Sequence, residues 1–142
     1  MSRSVYITRL AKFLPNEPIA NEEIEDILGK INGKASRAKS IILRSNQIKT
    51  RYYAIDRQGN STHTNAQLAK EAILNLTDER FKAEDIQLLA CGTSSPDQIL
   101  PSHTSMVQGE LKAAPTEIVA TSGACCNIIQ SLKYSFMSIQ GG

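Results

Sequence analysis

The stretch that most constrains the fold of this chain is residues 116–142, TEIVATSGACCNIIQSLKYSFMSIQGG. The run at 117–120 contains Ile118 and Val119 and predicts a short strand. The strand breaks at Ser122-Gly123 and passes directly into an apolar segment with helical spacing. The pattern therefore predicts a strand-to-helix turn, with Cys125 opening the helix.

The predicted position of Cys125 suits a nucleophile. Unpaired backbone N–H groups and the positive end of the helix dipole favour a thiolate there. The small residues before it, Ser122-Gly123-Ala124, permit a tight turn and leave room for a carbonyl, whose oxyanion nearby N–H groups can receive. Free cysteines are also common as small buried hydrophobes, so Cys125 and Cys126 could both be packing residues, and these residues alone leave both roles open for Cys125.

Strands and helices alternate along the rest of the chain. Strands are predicted over residues 4–10, 50–55 and 86–90, and a turn over 56–61. Three helices are predicted: one that begins after the N-cap Asn21 and stops at Asn32-Gly33, one from Thr62 or Thr64 through Leu76, and one over 102–112. The mostly apolar run at 86–90 is typical of a strand buried on both faces of a parallel sheet. This order predicts an α/β layered fold with helices packed on a sheet.

Composition sets wider limits. The 142 residues are 41% hydrophobic and 21% charged, which is enough for one modest core. The start MSRSVYITRL lacks the apolar region of a signal peptide, and no run reaches membrane-spanning length. Three cysteines, two of them adjacent, match neither a disulfide framework nor zinc spacing. We therefore expect a cytoplasmic protein with reduced thiols, no metal and no membrane contact.

Charge is distributed unevenly. Residues 27–55 contain no acidic residue. The cations within this range, called the basic segment below, are Lys30, Lys34, Arg37, Lys39, Arg44, Lys49 and Arg51. The segment is either a solvated face or a docking surface for an anion, namely the phosphates of a nucleotide-like carrier, an acidic carrier protein or nucleic acid. We expect no nucleic acid, because recognition motifs are missing and aromatic residues make up only 5%.

Four stretches together resemble the amino-terminal half of β-ketoacyl-acyl-carrier-protein synthase III enzymes. They are SVYITRLAKFLPNEPIANEEIEDIL, RSNQIKTRYYA, LLACGTSSPDQILPSHTSMVQGEL and TSGACCNIIQSLKYSFMSIQGG. The loop TSSPDQILPS and the turn SGAC are the most specific parts. The resemblance implies a thiolase-like layered fold, in which two similar halves stack mixed sheets around buried helices. Residues 1–142 would be the amino-terminal half domain, incomplete at its carboxy end.

The resemblance also implies an activity. An acyl group moves from a coenzyme A or acyl-carrier-protein thioester onto Cys125, and malonyl-acyl carrier protein then decarboxylates and attacks the acyl-cysteine. Arg44 corresponds to an arginine of the coenzyme A entrance, and Arg51 belongs to the same binding segment. Leu100 corresponds to a residue that reaches into the acyl pocket of the neighbour in a homodimer. The thioesters are substrates, and no cofactor is implied.

Two departures from the family pattern concern the substrate. The chain has no tryptophan, and Ile41 or a neighbour lies where the family often stacks one on adenine, which favours delivery by a carrier protein. Asn127 and Ile128 replace a common glycine and aromatic residue, which predicts a reshaped acyl pocket. Cys126, turned about 100° from Cys125 round the predicted helix, is expected to pack against the protein. A dialkylresorcinol or aryl-polyene branch, within fatty acid or polyketide synthesis, fits these departures.

The family's catalytic histidine and asparagine lie in the carboxy-terminal half. His63 and His103 are expected to be solvated or capping residues instead. The chain alone should therefore be inactive and should expose the apolar faces of its last helix. Two alternatives stay open, namely a non-catalytic, carrier-protein-binding partner subunit of a synthase, and a thiol acyltransferase that does not condense.

Overall fold

The computed structural model describes residues 3–142. These residues form two compact units, one of residues 3–13 with Asn65–Gly142 and the other of Leu14–Thr64. In chain order the elements are β1 (Ile19–Ala20), α1 (Ile24–Leu28), α2 (Lys39–Asn46), β2 (Thr50–Arg51), α3 (Asn65–Leu74), a 3₁₀ turn (Ala83–Asp85), β3 (Leu88–Thr93), α4 (His103–Leu111), β4 (Glu117–Ser122) and α5 (Asn127–Gly141).

The first unit is built on the parallel pair β3 and β4. Leu88 lies opposite Glu117, and Thr93 lies opposite Ser122, so both strands end at the same level. The predicted parallel strand and the predicted strand before the cysteines are therefore confirmed. β3 begins two residues later and ends three residues later than predicted, and β4 is two residues longer at its carboxyl end. Parallel neighbours need a crossover connection, which α4 supplies here.

The core of this unit lies between α3, α4 and β3. Ala66, Leu89 and Val107 are buried together, and Val107 is fully enclosed. Thr104 is also fully buried, and its hydroxyl donates to the carbonyl of Val119 at 2.9 Å, which ties α4 to β4. Ser102 caps α4 through a bond from the Ser105 N–H, so the helix begins where its sequence predicts.

The prediction of a strand over residues 4–10 is wrong in this structure. No strand pairs with these residues within the described range 3–142, and Tyr6, Ile7 and Leu10 are 76%, 69% and 88% exposed. The segment is held instead by Arg9, which donates to the Leu76 carbonyl and pairs with Asp78 at 2.7 Å. Strand-like composition is not sufficient here, because a strand also needs a neighbour that supplies ladder hydrogen bonds.

The second unit contains α1, α2 and the antiparallel pair β1 and β2, in which Ile19 lies opposite Arg51. The strand predicted over residues 50–55 is limited to Thr50–Arg51, because β1 offers only Ile19–Ala20 as a partner. Pro18 immediately before β1 has no N–H to donate, which explains why the pairing stops there. The turn over 56–61 is confirmed: the Asp56 carboxylate accepts the N–H groups of Gln58 and Asn60.

The first helix is shorter than its periodicity predicts. It ends at Leu28 because Gly29 has a left-handed φ of 79°, which stops the helix before Asn32-Gly33. Asn21 is not its cap, since Glu23 holds that position. The Asn21 side chain instead donates to the Ile48 carbonyl at 2.8 Å and accepts from Arg51 at 2.6 Å.

Within residues 3–142, none of the helices combines the length and the apolar character that crossing a bilayer would require.

Candidate active site

The candidate site is the turn that joins β4 to α5. β4 ends at Ser122, and α5 begins at Asn127 with Cys126 as its N-cap. Cys125 therefore precedes the helix, and the prediction that it opens the helix is wrong by two residues. The Cys126 N–H bonds the Ala124 carbonyl at 2.8 Å, which closes a three-residue turn with Cys125 at its apex.

The backbone of Cys125 is strained. Its φ is 68°, in the left-handed region that residues other than glycine seldom occupy. A positive φ closed by an i to i+2 hydrogen bond corresponds to the rare and strained form of the γ-turn. Such conformations cluster at active sites, and a sharp strand-to-helix turn presents a nucleophile to its substrate in other enzyme classes. The prediction of a strand-to-helix turn is thus confirmed, in a more strained form than the sequence indicates.

The three cysteines differ in accessibility. Cys125 and Cys126 are exposed, whereas Cys91 in β3 is partly buried; all three are free thiols. The prediction that Cys126 packs against the protein is therefore wrong, because this residue lies at the helix cap rather than inside the first turn. Burial raises the pKa of the Cys91 thiol, which disfavours its thiolate. The turn thus carries the more accessible sulfur atoms.

A close approach between β3 and α5 positions the turn. A Cβ on Gly92 would lie 2.7 Å from the backbone of Asn127 and Ile128, so only glycine fits there. Thr121 in β4 donates its hydroxyl to the Asn127 carbonyl at 2.7 Å and lies 2.7 Å from the Ser131 hydroxyl. Sequence reasoning missed both residues, although an isolated glycine inside a strand pattern is a recognised sign of close backbone approach.

Helix α5 packs on the sheet through its polar side. Asn127 and Ser131 are its buried residues, each 5% exposed. Its large apolar side chains are exposed instead: Ile128, Ile129, Leu132, Tyr134, Phe136, Met137 and Ile139. The prediction that this chain exposes an apolar face along its last helix is therefore confirmed. A solvated helix normally has the opposite arrangement.

Leu100 projects from the loop between β3 and α4. The base of this loop is anchored, because the Asp97 carboxylate accepts the N–H groups of Asn65 and Ala66 at 2.8 and 3.0 Å. Ile99 and Leu100 at its tip are 88% and 82% exposed. The peptide bond between Leu100 and Pro101 is cis. A large, exposed apolar side chain on an anchored loop is typical of a residue that contacts a partner molecule.

Arg44 and Arg51 lie in the second unit. Arg44 occupies the last turn of α2 and is exposed, whereas Arg51 in β2 is partly buried against Asn21. Lys39, another member of the basic segment, pairs with Glu25 at 3.3 Å. The elements α1, α2 and β2 line an open, mainly apolar pocket of about 360 Å³, to which Arg51 and Lys39 contribute. Arg44 is thus the more accessible of the two predicted arginines.

The two histidines differ. His63 is in a loop beside the Thr62 hydroxyl, as predicted. His103 is 9% exposed and is the first residue of α4, whose cap is Ser102, so the prediction of a solvated or capping role is wrong. Burial lowers the pKa of His103, and Asp97 opposes this effect. Among residues 3–142, its buried Nδ1 has no hydrogen-bond partner.

No group of three or more metal-ligating side chains occurs within the described residues 3–142.

A parallel strand pair crossed by α4, followed by a cysteine turn and a helix with an exposed apolar face, gives these residues an α/β fold. Comparison with solved structures places this fold in the thiolase-like class. A tetronic acid condensing enzyme, AbyA1, superposes with a TM-score of 0.73 and 24% identity over 93% of this chain and 40% of its own. OleA H285D from Xanthomonas campestris has a TM-score of 0.71 and 18% identity, over 94% and 38% of the two chains. At these identities the likeness establishes the fold.

Sequence comparison gives the more particular result: this chain is similar to proteins named β-ketoacyl-[acyl-carrier-protein] synthase III. The relative from Chlorobaculum tepidum is 28% identical over 96% of this chain and 38% of its own. A relative from Clostridium kluyveri is 32% identical over 56% and 25%. The one from Ehrlichia ruminantium is 23% identical over 99% and 40%. The resemblance inferred from the sequence is thus confirmed.

The chain spans about two fifths or less of the length of these relatives. No protein-family model matches it.

Proposed function

We propose that this chain is the amino-terminal part of a β-ketoacyl-acyl-carrier-protein synthase III-like acyltransferase, with Cys125 as its acyl-accepting residue. The single observation that carries the proposal is the exposed Cys125 thiol at the apex of a strained turn between a parallel strand and α5. The complete enzyme, made of this part and the remaining polypeptide that its relatives possess, performs the reaction.

The chemistry proceeds in two transfers. The Cys125 thiolate attacks the carbonyl carbon of an acyl thioester, and the carrier thiolate leaves and takes up a proton. Malonyl-acyl carrier protein then loses carbon dioxide, and the electron pair left on its α-carbon attacks the acyl-cysteine. The new carbon–carbon bond forms as the sulfur of Cys125 leaves. Decarboxylation supplies the carbanion, so this reaction needs no metal and no redox cofactor.

The second unit is proposed to receive the donor. Arg44 is exposed at the end of α2, and acidic residues are missing from the surrounding basic segment. A positive field of this kind attracts the phosphates of a pantetheine carrier or the acidic surface of acyl carrier protein. Because Arg51 is bonded to Asn21, we assign it a supporting role in shaping β2 and its pocket.

Replacing Arg44 with glutamate should weaken donor binding in the complete enzyme. An exposed charge contact contributes up to about 1 kcal/mol, which corresponds to about fivefold in the donor KM at low salt. The difference should shrink as salt is raised, because ions screen exposed charges. Steady-state kinetics across a salt series measures this effect.

Arg80→Glu, in the first unit, makes the same charge change at another exposed position and serves as the matched control. Equal responses of the two variants would assign the effect to net charge. An unchanged KM for Arg44→Glu at low salt would remove Arg44 from the donor site.

Leu100 is proposed to contact a second copy of the chain in a homodimer. Its side chain is 82% exposed at the tip of a loop whose base is anchored by Asp97. A leucine fixed in this way gains about 1.5–3 kcal/mol when a partner buries it.

We further propose a cytoplasmic enzyme, in keeping with its acyl-carrier-protein substrates.

Product analysis with malonyl-acyl carrier protein tests the reaction class. A condensing enzyme releases one carbon dioxide for each acyl group that it extends, whereas a non-condensing thiol acyltransferase transfers the acyl group without that release. A non-catalytic partner subunit would bind acyl carrier protein while Cys125 stays unmodified. Either of these last two outcomes would contradict the proposed condensation.

A further inference from the structure

The side chain of Asn127 crosses the cysteine turn. This residue is 5% exposed and is the first residue of α5. Its Nδ2 donates to the Gly123 carbonyl at 2.9 Å, and its Oδ1 accepts the Ile128 N–H at 2.9 Å. Both ends of the amide are therefore engaged, and one of these bonds spans residues 123–127.

This arrangement replaces a normal helix cap. Cys126 holds the N-cap position but makes no side-chain capping bond. Helix N-termini leave several N–H groups without intrahelical partners, and a cap side chain usually accepts one of them. Here the Asn127 Oδ1 accepts that bond from inside the first turn, while its Nδ2 holds the preceding loop.

The backbone of Asn127 is fixed as well. Its carbonyl accepts the Thr121 hydroxyl at 2.7 Å. Gly92 approaches so closely that a Cβ there would lie 2.7 Å from the Asn127 carbonyl carbon. Asn127 thus has little freedom, and it transmits a fixed position to Gly123, two residues before the apex at Cys125.

We propose that Asn127 is a positioning residue, whose side-chain amide holds the strained turn closed so that the Cys125 sulfur meets the thioester carbonyl in one orientation. This inference rests on the proposed function of Cys125. The family that the chain resembles commonly has glycine at this position. Glycine has no side chain, so the two side-chain hydrogen bonds of Asn127 are a feature of this chain and not of that common pattern. Asn127 acts through the turn and does not contact the substrate.

The test uses three variants of the complete enzyme. Asn127→Ala removes both side-chain bonds. Asn127→Asp keeps the shape and the acceptor for the Ile128 N–H but loses the donor to Gly123, and it guards against a folding defect in the alanine variant. Ser135→Ala is the matched control, because Ser135 lies on the same side of α5 and donates to the Ser131 carbonyl.

Three readouts separate positioning from general support. The rate constant for acylation of Cys125 by an acyl-carrier-protein thioester should fall about 10- to 100-fold in both Asn127 variants, because small misplacements of a reacting group cost this much. The donor KM should change by less than about twofold, because the carrier part of the donor is proposed to bind at the basic segment rather than at the cysteine turn. Alkylation of Cys125 by iodoacetamide, which reports the thiolate, should change far less than acylation.

Hydrogen exchange gives a result that does not depend on activity. In Asn127→Ala, amide exchange should accelerate over residues 123–128 and stay unchanged over the rest of α5. Ser135→Ala should leave both the acylation rate and the exchange of the turn unchanged.

Acylation at the wild-type rate in both Asn127 variants would overturn the proposal, and so would an equal loss in Ser135→Ala. A rise in KM alone would also overturn it. If wild-type Cys125 is never acylated, the proposed function fails, and unchanged exchange over 123–128 would separately refute the role of Asn127 in closing the turn.

Discussion

Replacing Cys125 with alanine is expected to abolish the acyl-enzyme adduct and to lower condensation by the complete enzyme at least about 10³-fold. The reason is that the proposed covalent intermediate forms on this sulfur, and removal of a nucleophile eliminates the two-step route. Mass spectrometry after exposure to acyl thioesters measures the adduct, and peptide mapping locates it.

Cys126→Ala and Cys91→Ala are the matched controls. Cys126 is also exposed and is adjacent to Cys125, and Cys91 is partly buried with a raised pKa. Both variants should still be acylated on Cys125. An adduct that persists in Cys125→Ala, or one that maps to Cys126, would contradict the assignment of the nucleophile.

The apolar face of α5 gives the second large expected effect. Leu132 and Phe136 lie one helical turn apart and are 51% and 44% exposed in this chain. The resemblance implies that the remaining polypeptide covers them, and each large apolar side chain then contributes about 1.5–3 kcal/mol. The double variant Leu132→Lys, Phe136→Lys should therefore lower the free energy of unfolding of the complete enzyme by about 4 kcal/mol or more.

The same double variant should have the opposite effect on the isolated chain of residues 1–142. Two lysines interrupt the exposed apolar face, so self-association and the binding of an apolar dye should decrease. Urea unfolding of the complete enzyme and dye fluorescence of the isolated chain measure the two responses.

Ala114→Lys introduces the same side chain at an exposed loop position of the first unit and is the control. If the double variant leaves the complete enzyme as stable as this control does, the outer face of α5 is exposed there too. The expectation of a buried helix would then be wrong.

The elements that the sequence predicted best are those that depend on local signals. Ser102 caps α4 through its own side chain, and the apolar run before Cys91 forms β3. Both elements depend on residues within a few positions of each other, so local periodicity suffices to find them. The family resemblance then correctly indicated the class of fold.

The elements that the sequence mispredicted depend on distant partners. Residues 4–10 have strand-like composition, but no neighbouring strand pairs with them within the described range 3–142. β2 is limited by the two residues of β1. His103 looked like a solvated residue near a helix start, but it is buried. In each case tertiary contacts with distant residues overrode the local conformational preference. A short stretch of sequence does not contain information about those contacts.

The sequence by itself determined that a cysteine follows a strand and precedes an apolar helix, because strand and helix periodicity are local properties. Only the tertiary structure decided that Cys125 lies before the helix with a φ of 68°, and that Gly92 and Asn127 hold it there. The physical reason is that a strained backbone persists only where packing and hydrogen bonds from other elements hold it in place.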